Sequence, residues 1–187
     1  MSVSLELPPV SVDCPTLFSA RIETPSGAMI ALADEHALHL LEFEGRRALS
    51  AEMDRMHERF TIVTGRTAIT DQIEDELARY FRGELTEFAT PLVLGGTDFQ
   101  QTVWRALQTI PYGETWSYAE LAEAIENPAA IRAVGGANGK NQLAIIVPCH
   151  RVINKGGGLG GYAGGLDIKR QLLELEARQQ QPLLKLA

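Results

Sequence analysis

Apolar and polar positions alternate through much of residues 17–43, the two-residue period of strands with one covered face. Three segments, 17–23, 28–33 and 37–43, are separated by Thr24-Pro25-Ser26-Gly27 and Asp34-Glu35-His36. Both separators are rich in turn formers, so a strand meander is predicted. The period then lengthens. Residues 46–60 read as a charged helix, Thr61-Ile62-Val63 as a short strand, and 68–81 as a second helix with Ile69, Ile73, Leu77 and Tyr80 on one face. Residues 83–96 read as a connector holding one extended piece, Pro91-Leu92-Val93-Leu94.

Short helices follow. Thr97 or Asp98 can cap a helix with Phe99, Val103, Leu107 and Ile110 on one face, stopped by Pro111-Tyr112-Gly113. Ser117 is read as the cap of a helix over 118–125, with Glu120 too early for a regular capping box. Asn127-Pro128 marks a turn before a helix over 129–137. Two short helices and a tight turn are the minimum description of a helix-turn-helix, a pattern that helical hairpins unconnected with DNA share. The second helix holds Ala129, Ala130, Ala133, Gly135, Gly136 and Ala137, with Arg132 its one long cation. Small residues allow close backbone approach, which suits a minor groove or a tightly packed helix pair. The apolar run 143–147 then leads, as a strand end, into Pro148-Cys149-His150-Arg151-Val152. A glycine-rich loop over 156–165 and a helix over 167–178 complete the reading.

At 187 residues the chain suits one large domain or two small ones, and 45% hydrophobic with 22% charged residues is ordinary globular composition. No apolar run is long enough to cross a membrane, and Met1-Ser2-Val3-Ser4-Leu5-Glu6-Leu7 lacks the basic start and apolar core of a secretion signal. A cytoplasmic protein is expected. Cys14 and Cys149 read as free thiols with neither a CxxC partner nor spaced histidines, and alternation sets His36 and His39 on opposite faces or ends of a strand as surface residues, so no metal is expected. The net charge of −7 is uneven: residues 1–94 hold 8 basic and 16 acidic side chains, and 95–187 hold 9 and 8. Any contact with a polyanion therefore belongs to the C-terminal half.

A cysteine beside a histidine and an arginine has surroundings that favour thiolate, the nucleophilic form of sulfur. The competing reading is a small apolar residue at a strand end. Neighbours on an extended segment point to opposite sides, so adjacency alone does not bring the His150 imidazole onto the sulfur. On their own, Glu176 reads as a solvent-facing helical charge, Tyr118 as a core aromatic, and the glycine run as a flexible loop.

In four ordered motifs the chain resembles the O6-alkylguanine-DNA alkyltransferases. These are Arg132-Ala133-Val134-Gly135-Gly136-Ala137, Asn141, Pro148-Cys149-His150-Arg151, and Gly161-Tyr162-Ala163-Gly164-Gly165-Leu166 with Lys169. The likeness is strong from about Asp98 to Glu176. It implies transfer of an alkyl group from O6 of guanine, and from O4 of thymine, in double-stranded DNA to the protein's own Cys149. The transfer needs no cofactor and occurs once per molecule. The resemblance assigns Glu176 to orient His150, which takes the Cys149 proton through a water. Tyr118 turns the nucleotide out and bonds guanine N3, while Arg132 fills the vacated stack. Ala133, Gly135, Asn138 and Lys140 join Arg132 and Tyr118 against DNA, and Asn141 ties the recognition helix to the reactive segment. Val152, Tyr162, Ala163, Gly164 and Lys169 form the base pocket, with alanine at 163 where many relatives carry serine.

The implied architecture is an α/β N-terminal domain over 1–90, ribonuclease-H-like, and a mainly helical domain over 91–187, winged-helix-like, with a helix-turn-helix. A monomer on DNA is expected, with cooperativity left open. Cys14 alone cannot rebuild the multi-cysteine zinc module with which some relatives repair phosphate methylation. Two other readings compete: a non-catalytic binder of alkylated bases, whose members replace the cysteine, commonly with tryptophan, and a cysteine hydrolase.

Overall fold

The computed structural model describes residues 14–180, so Pro8, Pro9 and the segment Met1 to Leu7 lie outside the described residues. The alternating stretch forms the predicted meander: β1 (Thr16–Ile22), β2 (Met29–Ala33) and β3 (Leu38–Phe43), successive pairs antiparallel. A fourth strand, β4 (Thr61–Thr64), adds parallel to β1, giving the order β3-β2-β1-β4. Period-two alternation separates the side chains to two faces. Leu17, Leu32 and Leu40 pack with Met56 of α1 (Leu49–His57), while Met29, Ala31 and Leu41 belong to the larger core.

Helix α1 is shorter than the predicted 46–60. It has no side-chain N-cap, and Arg46 is turned inward instead of lying on a solvated helix face. Helix α2 (Ala68–Arg82) starts at a Thr67–Thr70 capping box and ends at Gly83, whose φ of 77° few side-chain-bearing residues adopt. Its predicted face is buried: Ile69, Ile73, Leu77 and Tyr80.

The C-terminal part is mostly helical. Helix α3 (Asp98–Leu107) is capped by Thr97 with Gln100 in reciprocal bonds. Val103, Leu107 and Ile110 are buried as expected, but Phe99 is exposed and Trp104 takes the fourth core position. Its indole donates to the Ala137 carbonyl at 2.9 Å, which pins the following helix pair to α3. Helix α4 (Tyr118–Ala124) corrects the reading of its start. Ser117 is the N-cap, so Glu120 is the third helical residue, and both reciprocal bonds of a capping box form. A turn through Glu126 (φ 57°) and the 3-10 segment Pro128–Ala130 leads to α5 (Ile131–Asn138). Strands β5 (Trp116–Ser117) and β6 (Val152–Ile153) pair in parallel, and α6 (Leu166–Gln180) closes the described chain.

Two expectations around the reactive motif fail. Residues 143–147 are not a strand. Leu143 bridges Leu41 of β3, after which the chain coils through turns, with Ile145 at φ 71°. Cys149–Arg151 is a 3-10 turn, not an extended segment, because Pro148 offers its carbonyl to Arg151 N–H and the chain must reverse into β6.

One sheet edge joins the two parts. Strand β3 pairs with the connector at Leu92 and with the C-terminal part at Leu143, where Leu41 N–H donates to Gln142 O at 2.9 Å and Ala144 N–H to Leu41 O at 2.8 Å. Accordingly the main core runs unbroken from Ile22 to Leu172. No described helix is long and apolar enough to cross a membrane.

Candidate active site

The 3-10 turn separates its three side chains by destination. Cys149 faces a cavity of about 200 Å³ lined by Tyr118, Gly135, Asn138, Gly139, Gly161, Tyr162 and Ala163. His150 and Arg151 point the other way, into a buried carboxylate cluster. Glu176 of α6, with no solvent exposure, accepts from His150 Nε2 at 2.8 Å. It also accepts from Arg151 Nε at 2.9 Å, Arg151 Nη2 at 3.0 Å, Tyr80 Oη at 2.7 Å and the Gly113 amide at 3.0 Å. Arg151 Nη1 further donates to Ile110 O at 2.7 Å.

These bonds outweigh burial and hold Glu176 far below the usual carboxylate range: burial raises its pKa, but hydrogen bonds and charge from His150 and Arg151 lower it more. An ionised carboxylate only accepts, so the His150 hydrogen sits on Nε2 and the Nδ1 lone pair is left free. Nδ1 is buried and has no hydrogen-bond partner among the described residues. Burial also pushes the imidazole below its ordinary value, against the opposing pull of Glu176. His150 is thus a neutral base with one nitrogen unspent.

The sulfur side is the reverse. Burial pushes the Cys149 thiol up to about 11, opposed by the Asn141 hydrogen bond and by the cations Arg46 and Lys169, and reinforced by Glu42. The sequence reading that neighbouring cations favour thiolate is therefore corrected, since Arg151 is consumed by Glu176. Asn141 is closer to the chemistry than a tie between segments. Its amide nitrogen donates to Cys149 Sγ at 3.1 Å and to Val147 O at 2.8 Å, while its oxygen accepts from Leu143 N–H at 3.0 Å.

Tyr118 heads α4 at the cavity wall, half-buried. Its hydroxyl is raised by burial and by the Cys149 charge, with an opposing bond from the Gly161 amide. Gly160, at φ 66°, leaves room for it: a Cβ there would stand 3.1 Å from Tyr118 Oη. Tyr162 is half-buried with its hydroxyl enclosed, unpartnered among the described residues and raised well above its usual pKa, chiefly by burial. Ala163 is exposed at the mouth. Val152, Gly164 and Lys169 are not on the cavity lining. Val152 and Lys169 are fully buried, and the Lys169 ammonium donates to Val152 O at 2.5 Å and Gly161 O at 3.3 Å, bracing β6 to the loop. Burial brings that ammonium down to about 8.

On α5, Arg132, Ala133 and Lys140 beyond its end are exposed, a Cβ at Gly135 would stand 3.8 Å from the Tyr118 ring, and Asn138 is buried beneath. Asn138 donates to the Cys149 carbonyl at 3.5 Å. Cys14 is elsewhere, its thiol on Arg59 O. Sequence reasoning missed Tyr80 and Gly113, and it named Arg151 as a neighbour of the thiol, not as a partner of Glu176. Tyr80 carried a visible signal, a hydroxyl on an otherwise apolar helix face, but nothing in the sequence named its partner. Larger clefts, of about 310 to 580 Å³, open elsewhere among the described residues, and none of these is lined by a cysteine.

Residues 98–178 match the family model described as the 6-O-methylguanine DNA methyltransferase DNA-binding domain. A methylated-DNA–protein-cysteine methyltransferase of Methanosarcina acetivorans is 44% identical over 162 residues, 86% of this chain and 98% of that protein. The chain belongs to this family. A second relative, the enzyme of the same description from Mycobacterium tuberculosis, is 66% identical over 102 residues; the match spans 54% of this chain and only 62% of the relative's length. The crystal structure of Mycobacterium tuberculosis OGT in complex with DNA superposes with a TM-score of 0.75 at 46% identity, covering 88% of this chain and 94% of that one. The α/β N-terminal part and helical C-terminal part are common to the family's structures.

Proposed function

We propose that this protein repairs DNA directly, moving the alkyl group of O6-alkylguanine, and of O4-alkylthymine, onto Cys149. One observation carries the reading: a sulfur on the wall of a base-sized cavity, backed by a neutral histidine whose far nitrogen is locked by a buried carboxylate. A base still stacked in a duplex cannot enter the cavity beside Cys149, so the nucleotide must be flipped. Arg132, exposed on α5, would enter the stack from the minor groove, with Ala133 and Gly135 permitting close approach and Lys140 meeting phosphate. Asn138 would keep α5 in register with the Cys149 carbonyl.

In the transfer, the Cys149 proton passes through a water to His150 Nδ1, and the imidazolium is stabilised by Glu176. The thiolate attacks the alkyl carbon, the S–C bond forms as the C–O6 bond breaks, and the electron pair leaves with guanine. Tyr118 bonds N3 of the departing base and offsets its developing charge. The backbone amide of Ala163 and the ring of Tyr162 would hold the base edge, with Gly164 and Lys169 supporting the lid and Val152 the floor. Asn141 steadies the thiolate. A thioether is not reversed by thiol exchange, so each molecule acts once.

The finer architecture belongs to the same reading: ribonuclease-H-like over 1–90, winged-helix-like over 91–187 with α4 and α5 as the helix-turn-helix, acting as a monomer in the cytoplasm. The test is intact-mass titration with a methylated duplex. One added CH₂ per protein, located on the Cys149 peptide, is expected. DNA demethylated with Cys149 unmodified, or DNA bound and left methylated, overturns the reading.

A further inference from the structure

Arg46 is an arginine buried where the sequence predicted the start of a charged helix. It follows β3 and is 5% exposed, and its guanidinium spans both parts of the molecule. On its own side it pairs with Glu42 and, at 3.0 Å, with Glu52, both also buried. Toward the C-terminal part, Nη1 donates to Asn141 O at 2.8 Å and Nη2 to Gly139 O at 3.1 Å. Gly139 is the residue that caps α5, so its carbonyl is one that the helix end leaves without a partner in the helix, and Asn141 follows two residues on. A planar fork can serve two carbonyls at once, which an ammonium does less well.

The same Asn141 whose carbonyl Arg46 fixes has its side-chain amide on Cys149 Sγ at 3.1 Å. The backbone beside it is fixed too, by the Leu41–Gln142 and Ala144–Leu41 bonds. With main chain held at Gly139, Asn141 and Gln142, the amide has little freedom other than to face the sulfur. We infer that Arg46 is a positioning residue for alkyl transfer: from the N-terminal part it sets the Asn141–Cys149 hydrogen bond and the end of the DNA-facing helix α5 together. The N-terminal part is then a working portion of the reactive site. The inference rests on the transfer reading above.

Glu42 and Glu52 serve Arg46 as counter-charges. Burial pushes the Glu42 carboxyl up to about 8 and raises that of Glu52, so removing the cation alone would leave these groups without their partner. A clean test therefore neutralises the cluster as a unit. The groups that face Cys149 in a pH titration are Glu42 within β3 and Arg46 after it, Tyr118 of α4, Asn141, Tyr162 of the loop and Lys169 of α6, with His150 and Glu176 on the other side of the turn.

The experiment compares wild type with Arg46→Lys and with the triple variant Arg46→Met, Glu42→Gln, Glu52→Gln. Single-turnover transfer from a methylated duplex at saturating DNA, and reaction with free O6-benzylguanine, are followed across pH 6 to 10 as about one decade of proton activity per point. With DNA saturating, so that any loss of affinity is set aside, the triple variant should transfer on the order of tenfold more slowly, the size of loss that misplacement of a reacting group produces. Its pH–rate midpoint should move upward, and Arg46→Lys should lie between. Equal saturating rates and an unmoved midpoint in both variants would overturn the inference. If the triple variant fails to fold, Arg46→Lys decides alone: a wild-type rate and midpoint there refute the positioning role. Failure of wild type itself to alkylate Cys149 refutes the transfer reading, a separate result.

Discussion

Two buried acids stand on opposite sides of one 3-10 turn and are treated in opposite ways. Glu176 is surrounded by five donors and kept ionised at any physiological pH. Cys149 receives one side-chain donor and is held protonated. Full satisfaction builds a rigid support, and incomplete satisfaction leaves a group with something to gain from reacting. A thiol held near 11 is a weak nucleophile at rest, so deprotonation must be coupled to the arrival of substrate, with the unpartnered His150 Nδ1 as the acceptor in the proposed route. The contrast predicts that stability depends on the carboxylate side and chemistry on the sulfur side.

The sharpest challenge is Glu176→Gln, which turns one acceptor oxygen into a donor against Arg151, His150, Tyr80 and Gly113. A loss of about 3–5 kcal/mol in urea unfolding is expected, together with slow transfer. A change under about 1 kcal/mol would break the contrast. Next is pH. The folded Cys149 keeps its proton to about 11 while the unfolded thiol loses it near 9.0, so its contribution is whole below 9.0 and falls away toward 11. Glu176 works with the opposite sign: its pKa is depressed from 4.5, so its contribution is present above 4.5 and lost as acid approaches the depressed value. Thermal melts should decline at both ends, and Cys149→Ala should remove part of the alkaline decline only.

Tyr80→Phe deletes one of the five donors and should cost about 1–2 kcal/mol, with transfer slowed less than by Glu176→Gln. Cys149→Ala should abolish transfer outright while moving stability by only about 1 kcal/mol. Smallest in stability is Arg132→Ala, within about 0.5 kcal/mol because the side chain is exposed. It should weaken repair in duplex more than reaction with a free modified guanine, and equal losses on both would contradict an extrusion role.

What the sequence disclosed divides along the same line. The β1–β3 meander and the α2 face were legible because alternation and helical spacing are local, and burial merely ratifies them. The motif residues were legible through resemblance. The 3-10 turn was not, since an apolar run ending in Pro148 looks like a strand until the bridge at Leu143 and the turn after it are seen. Nor was the environment of Glu176. Tyr80, Gly113 and Arg151 reach it across large sequence separations, and only packing brings them together. Arg46 misled for the same reason: a charge in a polar-looking stretch reads as solvated unless its partners in distant carbonyls are known.

The placement of Glu176 on α6 also has a consequence in time. A nascent chain emerges from the N-terminus, so Tyr80, Arg132 and Cys149 are all made before the carboxylate that organises His150. The sulfur and the Tyr80 hydroxyl wait on the last described helix, α6, before the buried cluster can form. A truncated product would hold a nucleophile without its proton path. The proton path proposed for Cys149 is thereby withheld until α6 has been made.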